Sequence, residues 1–306
     1  MCHSHFIFCH SRAGGNPLLI QFTLDSRLHG NDNLWYNLSM SIFSSIILGI
    51  IQGGAEFLPI SSSGHLIIVR DLFGWHGSTD LAFDAILQLA TVIALIVFFH
   101  KDIWQLLKSF WQMVQGKFIE QKDRVMIWAI IIGTIPAVIA GLILQKYMET
   151  TFRSAVLVCI ILIIGSGVMF FAEKFATKNK ELTIKGGFWV GVFQCLALVP
   201  GFSRSGATIS GGLIFGLTRE EATRFSFLLS IPILLGPGLK EFASILHSSS
   251  SATSHVDLLL GTIIAFIVGL FAIKFMMKFL KNNSLNIFIY YRVILAVIVL
   301  AILFFR

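Results

Sequence analysis

The sequence predicts an all-α integral membrane protein, and three observations carry that prediction. Hydrophobic residues make up 56% of the 306 and charged residues only 13%, about half the usual ~25%. The mean hydropathy is +0.82. The apolar residues gather in runs close to the ~20 residues that a spanning helix needs. Such apolarity excludes a disordered chain, a collagen-like chain and a nucleic-acid-binding module. The net charge of +7 does not point to nucleic acid either, because Lys and Arg sit in short gaps between apolar runs, as in cytoplasmic membrane loops. Cys2, Cys9, Cys159 and Cys195 form no spaced framework, and the last two read as packing residues.

Residues 1–39 differ from the rest and read as an N-terminal extension, with a single membrane domain over 40–306 beginning near Met40. They lack the basic start, apolar middle and small-residue cleavage site of a signal peptide. Cys2, His3, His5, Cys9 and His10 match no standard zinc spacing. Six runs are then long enough to span: Leu81–Phe99, Val125–Leu144, Ala155–Phe171, Phe225–Leu239 with its flanks, Leu258–Met277 and Ile287–Phe305. Two further apolar segments are interrupted, Ile42–Leu58 by Pro59 to His65 and Phe188–Val199 by Pro200 to Gly206. Polar backbone at membrane depth is tolerated only where it lines a protein cavity, so both read as re-entrant helix hairpins. Between Lys101 and Arg124, Ile103, Leu106, Leu107, Phe110, Trp111 and Val114 recur at helical spacing. They predict an amphipathic helix at the membrane surface.

The interrupted segments repeat one another. Ser61-x-Ser63-Gly64 leads to Phe73-Gly74, and Ser203-x-Ser205-Gly206 leads to Phe215-Gly216, at a common offset of 142 residues. The same offset takes Gly49 to Gly191, Gln52 to Gln194, Ala55 to Ala197 and Phe83 to Phe225. Each half (about 41–173 and about 184–306) then holds one re-entrant hairpin and three spans. Three is odd, so the halves form an inverted-topology repeat with a site near the midplane. The 100–124 and 174–185 loops are rich in Lys and Arg, which puts them in the cytoplasm and both termini outside it.

Ionisable residues inside membrane segments are costly and mark function. In the interrupted segments these are Glu56, His65 and Arg204. Gln52 and Glu56, four apart, share a helix face and offer oxygens to a hard cation such as Mg²⁺ or Ca²⁺, with a substrate phosphate completing the shell. The competing reading pairs Glu56 with Arg204 as a structural ion pair. Ser62 and His65, three apart, could form a nucleophile and base. The competing reading makes the serines caps of the second hairpin helix, which leaves His65 unexplained. Around Arg204, a planar fork for phosphate, stand the hydroxyls of Ser203, Ser205 and Thr208 and a helix N-terminus. The competing reading there is an arginine snorkelling to an interface. Together these groups describe phosphoryl-transfer machinery for a substrate with a lipid tail.

Gln52-Gly53-Gly54-Ala55-Glu56-Phe57-Leu58-Pro59-Ile60-Ser61-Ser62-Ser63-Gly64-His65 and Pro200-Gly201-Phe202-Ser203-Arg204-Ser205-Gly206-Ala207-Thr208 resemble the two signatures of the bacterial undecaprenyl-diphosphatase (bacitracin-resistance protein) family. The resemblance covers about Ser41 to Phe305. It implies a multi-pass enzyme of the bacterial inner membrane that hydrolyses undecaprenyl diphosphate to undecaprenyl phosphate with a divalent cation, recycling the lipid carrier of peptidoglycan synthesis. By the same resemblance Glu56, His65 and Arg204 are essential, Ser62 is the candidate nucleophile, and Ser203, Ser205 and Thr208 surround the phosphates. The family's first motif often begins with Glu where this chain has Gln52, which lowers the negative charge offered to a metal. The residues leave attack by Ser62, His65 or water open, and the oligomeric state too, a homodimer included. The competing function is a carrier that flips undecaprenyl phosphate or another anionic lipid. The repeat favours it slightly, but a carrier does not need a nucleophile with a base.

Overall fold

The computed structural model describes residues 32–75, 80–149, 152, 154–176, 179–247 and 255–305. By internal contacts the chain divides into two units, Met1–Leu38 and Ser39–Arg306. The early Cys/His group and most of the Ser-rich 247–255 loop lie outside the described residues.

Among the described residues the regular structure is entirely helical: α1 (Asp32–Phe57), α2 (Ser62–Phe73), α3 (Asp80–Phe98), α4 (His100–Val114), α5 (Gln121–Glu149), α6 (Ala155–Phe175), α7 (Ile184–Cys195), α8 (Arg204–Ile214), α9 (Arg219–His247), α10 (His255–Asn282) and α11 (Asn286–Phe305), with a 3-10 turn at Leu196–Leu198. The six helices long and apolar enough to cross a membrane are α3, α5, α6, α9, α10 and α11, the six expected from the apolar runs. Large apolar side chains such as Leu142 and Phe271 stand outward on them. A soluble protein does not carry so broad an exposed apolar surface. The helices run past the apolar windows where capping extends them. α9 begins at Arg219, six residues before Phe225, because Thr218 and Glu221 form a reciprocal capping box: the Glu221 N–H donates to Thr218 Oγ1 (3.2 Å) and the Thr218 N–H donates to Glu221 Oε2 (3.3 Å).

The core joins both halves of the chain. Phe57, Leu95, Phe99, Met169, Ile209, Leu213, Phe227, Met276 and Phe288 form one buried cluster, and Phe57 meets Phe227 edge to face at 5.5 Å. The two interrupted helices are seated by small residues. A Cβ on Gly49 of α1 would lie 2.6 Å from the Gly261 carbonyl of α10, and one on Gly187 of α7 would lie 2.5 Å from Ala129 of α5. Close backbone approach of this kind is how helices associate where apolar burial gives no preference over lipid. Helix α4 turns Ile103 and Leu106 onto the core and leaves Trp104, Leu107, Trp111 and Val114 exposed, a face suited to the membrane surface. Ion pairs tie elements together, among them Arg70 to Asp84 (α2 to α3, 2.7 Å), Arg219 to Glu173 (α9 to α6, 2.6 Å) and Arg224 to Asp102 (α9 to α4).

Candidate active site

Both interruptions are built on a serine with positive φ. Ser61 has φ 75° and Ser203 φ 77°, a conformation that costs energy for a residue with a Cβ and that clusters at functional sites. Each is the N-cap of the helix that follows. Ser61 Oγ accepts from the Gly64 N–H (3.3 Å), and Ser203 Oγ accepts from the Gly206 N–H (3.1 Å). Ser61 Oγ also accepts from the Gly201 N–H at 3.1 Å, so the two breaks touch. Gly201, at φ 99°, lies where a Cβ would be 2.6 Å from the Val158 carbonyl. Only glycine fits there.

Glu56, 5% exposed, is the hub. Its Oε2 accepts from Ser62 Oγ at 2.6 Å and from Gln52 Nε2 at 2.8 Å. Its Oε1 pairs with Arg204 Nη2 at 2.8 Å. Residues from α1, α2 and α8 thus meet on one carboxylate. Arg204 Nε and Nη1 and Gln52 Oε1 are buried without a partner. A cavity of about 210 Å³ opens beside Arg204, lined by Glu56, Ser61, Ser62, Gln194, Ser203 and Arg204 on its polar side. Ala137, Leu198, Ile233, Leu234 and Pro237 form its apolar wall. The ion pair between Glu56 and Arg204 is therefore real, but it borders a cavity and leaves two guanidinium nitrogens free, which a purely structural pair would not. The snorkelling reading of Arg204 fails, since its Nη2 donates to the buried Glu56 carboxylate.

Three expected groupings differ. His65 does not meet Ser62: its Nδ1 lies 2.8 Å from the Ser61 carbonyl, and its Nε2 lies 2.8 Å from the Tyr291 hydroxyl. Both ring nitrogens are taken up because His65 sits one turn into α2 and folds back on the cap, while Ser62 turns towards Glu56. Ser205 donates to the Leu58 carbonyl (3.1 Å), locking one break to the other. Thr208 donates to the Arg204 carbonyl (2.8 Å) and meets Ser226 of α9. Of the four hydroxyl and guanidinium groups expected around a phosphate, Ser203 and Arg204 line the cavity; Ser205 and Thr208 hold the scaffold.

For a divalent cation, no trio of His, Cys, Asp or Glu gathers among the described residues. The donors on hand are the Glu56 carboxylate and the unpartnered Gln52 Oε1. One carboxylate and one neutral oxygen fit a hard cation that takes its remaining ligands from substrate phosphate and water.

One residue escaped the motif reading. Arg292 of α11 is fully buried and donates to the Pro59 (3.2 Å), Gly201 (3.0 Å), Phe202 (2.9 Å) and Leu162 (3.1 Å) carbonyls. It clamps both breaks from behind. An arginine within the apolar run 287–305 was itself the signal for it.

A polytopic helical membrane protein with a buried carboxylate, hydroxyl and guanidinium at paired helix breaks is the class these features define. Residues 45–298 match the family model for "Bacitracin resistance protein BacA", and the chain belongs to that family. Relatives include "Undecaprenyl-diphosphatase 1" of Corynebacterium jeikeium (43% identical over 87% of this chain and 95% of the relative). "Undecaprenyl-diphosphatase" of Renibacterium salmoninarum is 42% identical over 87% and 97%. The protein of the same name from Myxococcus xanthus is 39% identical over 86% and 90%.

Proposed function

We propose that this protein is an undecaprenyl-diphosphatase of the bacterial inner membrane, releasing inorganic phosphate and returning undecaprenyl phosphate to cell-wall synthesis. The observation that carries the reading is the convergence of Ser62 and Arg204 on Glu56 beside a cavity with an apolar wall. The polar side suits a diphosphate, and the apolar wall suits the first units of a lipid tail.

In the reaction, Ser62 Oγ attacks the terminal phosphorus and passes its proton to Glu56 Oε2, already its hydrogen-bond acceptor. The bond from that phosphorus to the bridging oxygen breaks, and undecaprenyl phosphate leaves with the proton from Glu56 on the freed oxygen. Water then attacks the phosphoserine and gives its proton to the again ionised Glu56; the phosphorus–Oγ bond breaks, phosphate is freed, and Glu56 returns that proton to Ser62 Oγ. Arg204 Nε and Nη1 hold equatorial oxygens through both displacements. His65 positions Ser61, and through it the break that aims Ser62. Gln52 and Glu56 would hold a Mg²⁺ or Ca²⁺ ion, which supplies charge neutralisation for the diphosphate.

The same reading makes the halves an inverted repeat of re-entrant hairpins. It is supported by the 142-residue offset, by the equivalent strained caps Ser61 and Ser203, and by crossed seating, α1 on α10 and α7 on α5. The purified protein in detergent tests the function: phosphate release from undecaprenyl diphosphate supports it. Movement of undecaprenyl phosphate across vesicles without phosphate release would make the protein a carrier.

A further inference from the structure

We infer that Gln194 is a further substrate-contacting residue, whose side-chain amide donates to an oxygen of the diphosphate; the inference rests on the diphosphatase reading. Gln194 is 2% exposed on α7 and lines the same cavity as Glu56, Ser62 and Arg204. Neither its Nε2 nor its Oε1 has a partner in the protein. A buried amide left wholly unpaired is costly, and native structures retain such groups where something outside the protein completes them.

The internal repeat explains why this amide is free. Gln194 corresponds to Gln52, which spends its N–H group on Glu56. The position corresponding to Glu56 is Leu198, also a wall of the cavity. Gln194 therefore holds the repeat position of Gln52 with a leucine where Gln52 has the carboxylate that takes its N–H group. The amide suits an anion here for a second reason. Glu56 and Arg204 already neutralise one another, and a neutral donor adds affinity for phosphate oxygen without adding a charge that must be buried in the ligand-free protein.

Steady-state kinetics on undecaprenyl diphosphate, with thermal melting in the same detergent without substrate, test this. Gln194→Met fills the same volume without polar atoms. Its KM should rise roughly ten- to a hundredfold, the cost of one hydrogen bond to a charged oxygen. Its melting temperature should stay level or rise, since an unpaired amide has been removed. Gln194→Glu keeps the shape, removes the donor and adds a negative charge, so its KM should rise further. A residue with only a structural part would show the reverse, wild-type KM with a lower melting temperature, and that overturns the inference. Should the Met variant not fold, a Glu variant with wild-type KM overturns it equally. A wild-type protein that releases no phosphate removes the functional reading and this inference together; wild-type hydrolysis with unchanged KM in the variants removes this inference alone.

Discussion

The Ser62 hydroxyl donates to Glu56 Oε2 at 2.6 Å, and the other oxygen of the same carboxylate holds Arg204 at 2.8 Å. One side chain thereby sets both the candidate nucleophile and the phosphate fork.

If that carboxylate takes the Ser62 proton, Glu56→Gln should abolish the acceptor while keeping the shape. A fall in kcat of about 10²–10⁴-fold is expected, the usual worth of a positioned general base. The Glu56→Gln, Ser62→Ala double variant should be little slower than either single one, because the two act as a unit. Additive losses would separate their roles.

Arg204→Lys keeps the charge and gives up the fork. With Nη2 committed to Glu56, the phosphate contact rests on Nε and Nη1, and Lys cannot supply both. The loss should be about 2–4 kcal/mol in kcat/KM, or roughly 30- to 1,000-fold. Wild-type kcat/KM in the Lys variant would reduce Arg204 to a counter-ion.

Hydrolysis should stop in excess chelator and return with Mg²⁺ or Ca²⁺. Gln52→Leu should then need more metal for half-maximal rate than wild type, and Gln52→Glu less, since a second carboxylate strengthens a hard-cation site. An unchanged metal requirement in both would remove Gln52 from the ligand set.

Arg292→Met should destabilise rather than inactivate selectively. It strands the Pro59, Gly201 and Phe202 carbonyls in the interior, while Leu162 keeps the Ser166 hydroxyl, and unsatisfied buried acceptors cost about 1–3 kcal/mol each before relaxation. A melting temperature equal to wild type, read in detergent, would contradict the clamp.

Much of this was legible in the sequence. The six spans are long, apolar and separated by charged gaps, so composition alone delimits them. The breaks announce themselves as polar runs in apolar helices, and the 142-residue offset pairs them. Side-chain direction was not legible. Three-residue spacing suggested that Ser62 and His65 face each other, but the Ser61 cap draws His65 back to its carbonyl and on to Tyr291, 226 positions away. Ser205 and Thr208 belong to a phosphate-binding composition, yet Leu58 and Ser226 claim them. Such choices depend on contacts between distant helices, which local spacing does not encode.

Positions in the 100–124 loop, replaced singly by Cys, should label only from the cytoplasm, and those near residue 256 only from outside. Labelling of both from one face would contradict the inverted repeat.

The most direct measurement of the central claim is a single turnover with substrate labelled on its terminal phosphate, quenched in acid. Label is expected on Ser62 in the wild-type protein, label that forms far more slowly in Glu56→Gln, and none in Ser62→Ala, which should also release almost no phosphate. A Ser62→Ala protein that releases phosphate at the wild-type rate would contradict the claim.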